Sequence, residues 1–122
     1  MASRKRSKDA LVSDLKQWLK TGQKIALEIT FEDFQQDNNA FHSANWCIVC
    51  VGEAAGQLLK NYPDFPSYEL RKELLVANDT RNRVAHGYYD LSKEQVWNTI
   101  VTSFVKFSEM LEKHLNDLNH EH

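Results

Sequence analysis

Leu70-Arg71-Lys72-Glu73-Leu74-Leu75-Val76-Ala77-Asn78-Asp79-Thr80-Arg81-Asn82-Arg83-Val84-Ala85-His86-Gly87-Tyr88 decides the reading of this chain. Counted from Leu70, the residues Leu74, Ala77, Arg81, Val84 and Tyr88 fall at helical intervals and share one face. The face is apolar except at Arg81, whose charge is costly to bury without an acceptor. Asn82 and His86 stand four apart on a neighbouring face. Ser67 supplies an N-cap and Gly87 a natural stop, so the spacing predicts a helix over Tyr68–His86. Leu70, Leu74, Ala77 and Val84 are expected in the core, with Arg81 reaching a cleft.

Outward from this helix the pattern stays helical. Ser7 caps a helix over Lys8–Glu28, striped by Leu11, Leu15, Trp18, Gly22, Ile25 and Ile29. Thr30 starts a short turn at Phe31, and a long helix over 39–61 follows. That helix carries Phe41, Ala44, Ile48, Val51, Ala55, Leu58, Leu59 and Tyr62, and Pro63 and Pro66 end it. Gly52 and Gly56 give it a small-residue side open to close approach by another backbone. Ser92-Lys93-Glu94-Gln95 is a capping box. It opens a last helix on which Trp97, Ile100, Val101, Phe104, Phe107, Leu111, Leu115 and Leu118 form the apolar side. The expectation is an all-α fold, an antiparallel bundle of four main helices. Residues 1–8 are read as a basic flexible arm, 9–118 as one domain and 119–122 as a frayed tail.

Composition narrows the function classes. The chain has 122 residues, 42% hydrophobic and 26% charged, which suits one globular domain. Only 4 Gly and 2 Pro argue against a turn-rich β-sandwich. No apolar run approaches a membrane span and no secretory h-region follows the basic start, so the expected location is the cytoplasm. Net charge is −2; without Arg4, Lys5, Arg6 and Lys8 the rest holds 11 basic against 17 acidic residues. No broad basic surface for non-specific nucleic-acid binding is encoded, so any such contact depends on a local cleft or on the arm.

Arg81, Asn82, Arg83 and His86 bring cation, amide and imidazole into about two turns. Such a cluster reads either as a structural network, with Arg81 paired to a carboxylate and His86 capping the helix, or as a reactive site. The segment Arg81-Asn82-Arg83-Val84-Ala85-His86-Gly87-Tyr88 resembles the motif of HEPN-domain proteins, and more narrowly that of HepT-like toxins. Val51-Gly52-Glu53-Ala54-Ala55, Asp90 and Val96-Trp97 extend the resemblance across about 9–115. The 14 residues between Pro66 and Arg81 exceed the spacing of typical members.

The resemblance implies a dimeric helical bundle whose two motifs meet at the interface. It further implies a metal-independent endoribonuclease toxin with an RNA substrate and no cofactor. The implied partner is a minimal nucleotidyltransferase antitoxin that adenylylates Tyr88. Arg81 and His86 are the implied catalytic residues, and Asn82 and Arg83 are candidates for orienting phosphate. The chemistry is coherent: histidine suits both proton transfers near neutral pH, and a forked cation suits a pentacoordinate phosphate. One such histidine per chain makes a two-fold composite site useful. A non-catalytic HEPN subunit that binds a nucleotide, or docks a substrate for a nucleotidyltransferase, is the alternative. A helical dimer with only a structural ion pair is the third reading. Cys47 and Cys50 lie within a striped helix and read as small hydrophobes rather than as a redox or zinc pair. His114, His120 and His122 read as part of a frayed terminus rather than as a metal site.

Overall fold

Ser7, Thr30, Asp37, Ser67 and Ser92 start the helices of the computed structural model by one device. Each side-chain oxygen accepts the backbone N–H three residues on, at 3.0–3.3 Å. The structure describes residues 6–65, 67–86 and 91–120, and among them there is no β-strand. The helices are α1 (Lys8–Glu28), α2 (Phe31–Gln36), α3 (Asn38–Asn61), α4 (Tyr68–His86), α5 (Lys93–Asn98) and α6 (Phe104–His120). The capping box at Ser92 is complete, with the Gln95 side chain accepting the Ser92 N–H. Asp37 starts α3 one residue earlier than the sequence pattern suggests.

The long helices form a closed ring, α1 on α3, α3 on α4, α4 on α6 and α6 on α1. This is the four-helix arrangement the periodicity predicts. Leu11, Leu15 and Leu19 of α1, Ile48, Val51 and Leu58 of α3, Leu70 and Leu74 of α4, and Phe107 and Leu111 of α6 fill its centre. A second knot forms at one end. Phe34 is fully buried with its ring 5.2 Å from Trp97 and 6.3 Å from Phe41, and Phe31 closes on Trp97 at 5.7 Å. Lys93 ties the same corner by donating to the Gln35 carbonyl and to Asn38 Oδ1.

The last helix departs from expectation. Between α5 and α6 the backbone widens into a π-helical segment, Thr99–Ser103, and the Phe104 N–H bonds to the Thr99 carbonyl five residues back. The wider turn changes which residues face inward. Val96, Ile100 and Phe104 are buried, whereas Val101, expected in the stripe, is 39% exposed, and Trp97 is half-buried. Leu118 is likewise exposed at the far end of α6. In α4, Leu70 and Leu74 are buried and Ala77 packs against the core. Val84 is only half-buried and stands outside the core cluster.

Arg6 is held at the entry to α1. It pairs with Asp14 at 2.7 Å, and its carbonyl accepts the Tyr62 hydroxyl at 2.7 Å.

Candidate functional site

Gly52 and Gly56 are used within the chain: α4 is the backbone that approaches them. A Cβ at Gly52 would overlap Arg81 Cβ and the Ala77 carbonyl, and one at Gly56 would overlap the Asn78 amide. The two glycines thus bring the α3 and α4 axes close and set the root of the Arg81 side chain against the α3 backbone. From there the guanidinium has a short reach to the flank of α3. Its Nη2 lies 2.9 Å from Glu53 Oε2, and its Nη1 donates to Asn82 Oδ1 at 2.9 Å. Glu53 Oε1 in turn accepts from Gln57 Nε2 at 3.2 Å. Arg81 Nε is buried with no partner. The side chain is about one-third exposed, so a solvent-accessible edge of the cation remains.

Arg81 thus stands at the edge of the α3–α4 seam, paired with a counter-charge from α3. The structural reading of the motif requires a carboxylate for Arg81; Glu53 is that carboxylate. The sequence offers Glu53 only as part of the Val51–Ala55 resemblance, since nothing in the spacing of α3 shows which acid faces the motif. The chemical consequence is direct. An anion approaching Arg81 meets a fork already shared with a carboxylate, and binds the free edge or displaces Glu53.

The other motif residues divide. Asn82 joins the Arg81 network. Arg83 Nε lies 3.2 Å from Asp79 Oδ2 on the exposed side of α4, one turn back. His86 lies in the last turn of α4, and the proposed modification position, Tyr88, lies outside the described residues, as does Gly87.

The pairing of Gly56 with Asn78 and of Gly52 with Arg81 shows α3 and α4 running antiparallel. The last turn of α4 therefore runs level with about residues 47–51 of α3.

Two other features lie apart from Arg81. A groove of about 140 Å³ between α3, α4 and the π-helical segment has an apolar floor of Ile48, Val51, Ala77, Phe104 and Phe107. The Glu73–Lys106 pair, 3.4 Å, lies beside it. Cys47 is buried and Cys50 half-buried, within α3 as read from the sequence. Burial raises both thiols, that of Cys47 to about 11, with the Cys50 sulfur adding to it; at Cys50 the charges of Glu53 and Asp14 contribute after burial. Such thiols stay protonated and poorly nucleophilic near neutral pH. Among the described residues no group of three His, Cys, Asp or Glu side chains converges as metal ligands, and no helix is long and apolar enough to cross a membrane.

The fold and the α3–α4 network together give an all-helical bundle whose motif arginine is anchored on the neighbouring helix. Residues 15–114 match the family described as ribonuclease HepT-like, and the chain belongs to that family. No curated protein and no solved structure matches it.

Proposed function

We propose that this chain is a metal-independent endoribonuclease toxin, with Arg81 and His86 as its catalytic residues. The observation that carries the reading is the placement of Arg81. A glycine seam sets the root of its side chain and Glu53 holds its guanidinium, while about one-third of the side chain stays exposed. In the proposed reaction a base removes the proton of the RNA 2′-hydroxyl, and that oxygen attacks the adjacent phosphorus. The bond from phosphorus to the 5′-oxygen breaks, a proton passes to the departing oxygen, and a 2′,3′-cyclic phosphate is left. Arg81 stabilises the charge that builds on the phosphoryl oxygens. His86 serves in proton transfer, for which its side-chain type is suited near neutral pH. Asn82 supports the Arg81 fork; Arg83, turned towards Asp79, is a weaker candidate for phosphate contact.

The proposed assembly is a two-fold dimer that brings together two copies of the motif and so two histidines. The proposed control is adenylylation of Tyr88 by a cognate minimal nucleotidyltransferase. The added phosphate would bring negative charge to a site that needs to attract RNA. A second reading, a non-catalytic subunit that docks a nucleotide or substrate, draws support from the charge balance, because Glu53 already offsets the Arg81 cation.

The test is cleavage of a mixed RNA pool by purified protein in the presence of EDTA. The expected outcome is cyclic-phosphate ends, with the rate reduced by about 10²-fold or more in His86→Ala. Bound but uncleaved RNA favours the docking reading. Mass spectrometry of the chain co-expressed with the nucleotidyltransferase then locates any added nucleotide on Tyr88 or on the adjacent Tyr89.

A further inference from the structure

Trp46 stands apart from the other two tryptophans. Trp18 and Trp97 pack against the core, whereas Trp46 is 58% exposed. A lone exposed apolar side chain is ordinary in itself; its position is the informative part. Trp46, Val49 and Glu53 recur at helical spacing along one face of α3, and Glu53 is the residue that holds Arg81. Trp46 lies two turns from Glu53, about 10 Å along the axis. That is the direction in which the last turn of α4 runs.

We propose that Trp46 is a stacking platform for a base of single-stranded RNA, next to the phosphate held at Arg81. The proposal rests on the ribonuclease reading and deepens it. Single-stranded nucleic acid is commonly bound by a cation that tracks the backbone together with an aromatic face on which a base lies. This flank of α3 supplies one of each. The charge balance favours an aromatic contact: net charge is −2 and Glu53 offsets the Arg81 cation. Electrostatic attraction to the backbone is therefore weak at this site, and stacking would add to it. The surroundings of the indole favour a base over a protein surface. Among the described residues, its exposed neighbours along and beside the face, His42, Ser43 and Glu53, are polar, and the apolar Val49 is half-buried. Because every base has a flat face, the contact tolerates sequence while fixing where the strand lies relative to Arg81.

The experiment compares two labelled probes that cannot be cleaved. One is a random pool of short 2′-O-methyl oligoribonucleotides, and the other is an abasic strand of equal length. Binding is measured by fluorescence anisotropy for wild type, Trp46→Ala and Trp46→Phe, with circular dichroism and light scattering on each protein. The expected result is a loss of about tenfold or more for Trp46→Ala on the base-bearing pool. The abasic strand should bind wild type and variant alike, and Trp46→Phe should recover most of the loss. Undiminished binding by Trp46→Ala overturns the proposal, as does an equal loss on both probes. A change in oligomeric mass on Trp46→Ala also overturns it, because the indole then faces another protein. If wild type binds neither probe, the ribonuclease reading falls and takes the proposal with it. Binding by wild type without dependence on Trp46 removes the proposal alone.

Discussion

Two helix seams in this molecule are built around glycine, and they differ in what the glycine faces. Where α1 meets the α5–α6 rod, a Cβ on Gly22 would strike the ring of Phe104 and approach Ile100, both side chains. Where α3 meets α4, a Cβ on Gly52 would strike Arg81 Cβ and the Ala77 carbonyl, the root of a side chain and a backbone atom. A ring can rotate or slide by some tenths of an ångström; a helix axis moves only by moving everything attached to it. The first seam fills space. The second fixes a distance, and the group whose position it fixes is the cation of the motif.

The comparison can be broken most directly at Gly52. Gly52→Ala is expected to destabilise the fold by about 2–3 kcal/mol through overpacking, even after the gain in helix propensity. It should also displace Arg81 and abolish RNA cleavage in the protein that still folds. Urea denaturation and the cleavage assay measure the two effects. Gly22→Ala is expected to cost less, about 1–2 kcal/mol, and to leave cleavage by the folded protein near wild type. Equal costs and equal losses of activity would remove the distinction between the seams.

A smaller effect sharpens the role of the carboxylate. Arg81 and Glu53 are both partly exposed, so a double-mutant cycle with Arg81→Gln and Glu53→Gln should return a coupling of only about 1 kcal/mol or less. Glu53→Gln should therefore alter RNA binding and its salt dependence far more than it alters stability. A coupling of several kcal/mol would instead make the pair chiefly structural.

A last effect, confined to alkaline pH, is in α3 itself. Cys47 holds its proton up to about 11 in the folded chain, against an ordinary 9.0. Its contribution is fully present below pH 9, where both states are protonated. It is lost as the pH rises from there through the folded value, because the unfolded chain releases the proton first. Cys47→Ala should flatten that part of the stability–pH curve relative to wild type, as measured by chemical denaturation at successive pH values.

Much of this architecture is legible in the sequence, for identifiable reasons. The bounds of α1 and α4 follow from Ser7 and Ser67 as caps and from apolar residues at helical spacing. Arg81 announces itself as a charge within an apolar stripe, and the structure does place it at an edge with an acceptor. The acceptor's identity is not legible, because it depends on which turn of α3 lies beside which turn of α4. Val84 and Val101 mislead for a related reason. Periodicity reports which side of a helix is apolar, but not how closely a neighbouring helix packs there or where a turn widens. Trp46 is hidden differently: it sits beside Cys47 and Cys50, and the eye goes to the cysteine spacing. Its seven-residue separation from Glu53 is a signal only once Glu53 is known to matter.

The π-helical segment at Thr99–Ser103 acts as a phase shifter. It lets a single rod address two audiences, with Val96 and Trp97 turned to the aromatic corner around Phe34 and with Phe104 and Phe107 turned to the four-helix centre. A uniform α-helix advances by a fixed angle per residue and would have to leave one of the two out of register. The surplus residue in that turn is thus an indexing device. Removing it would rotate everything downstream by about a quarter turn or more, and α6 would present its polar side to α1.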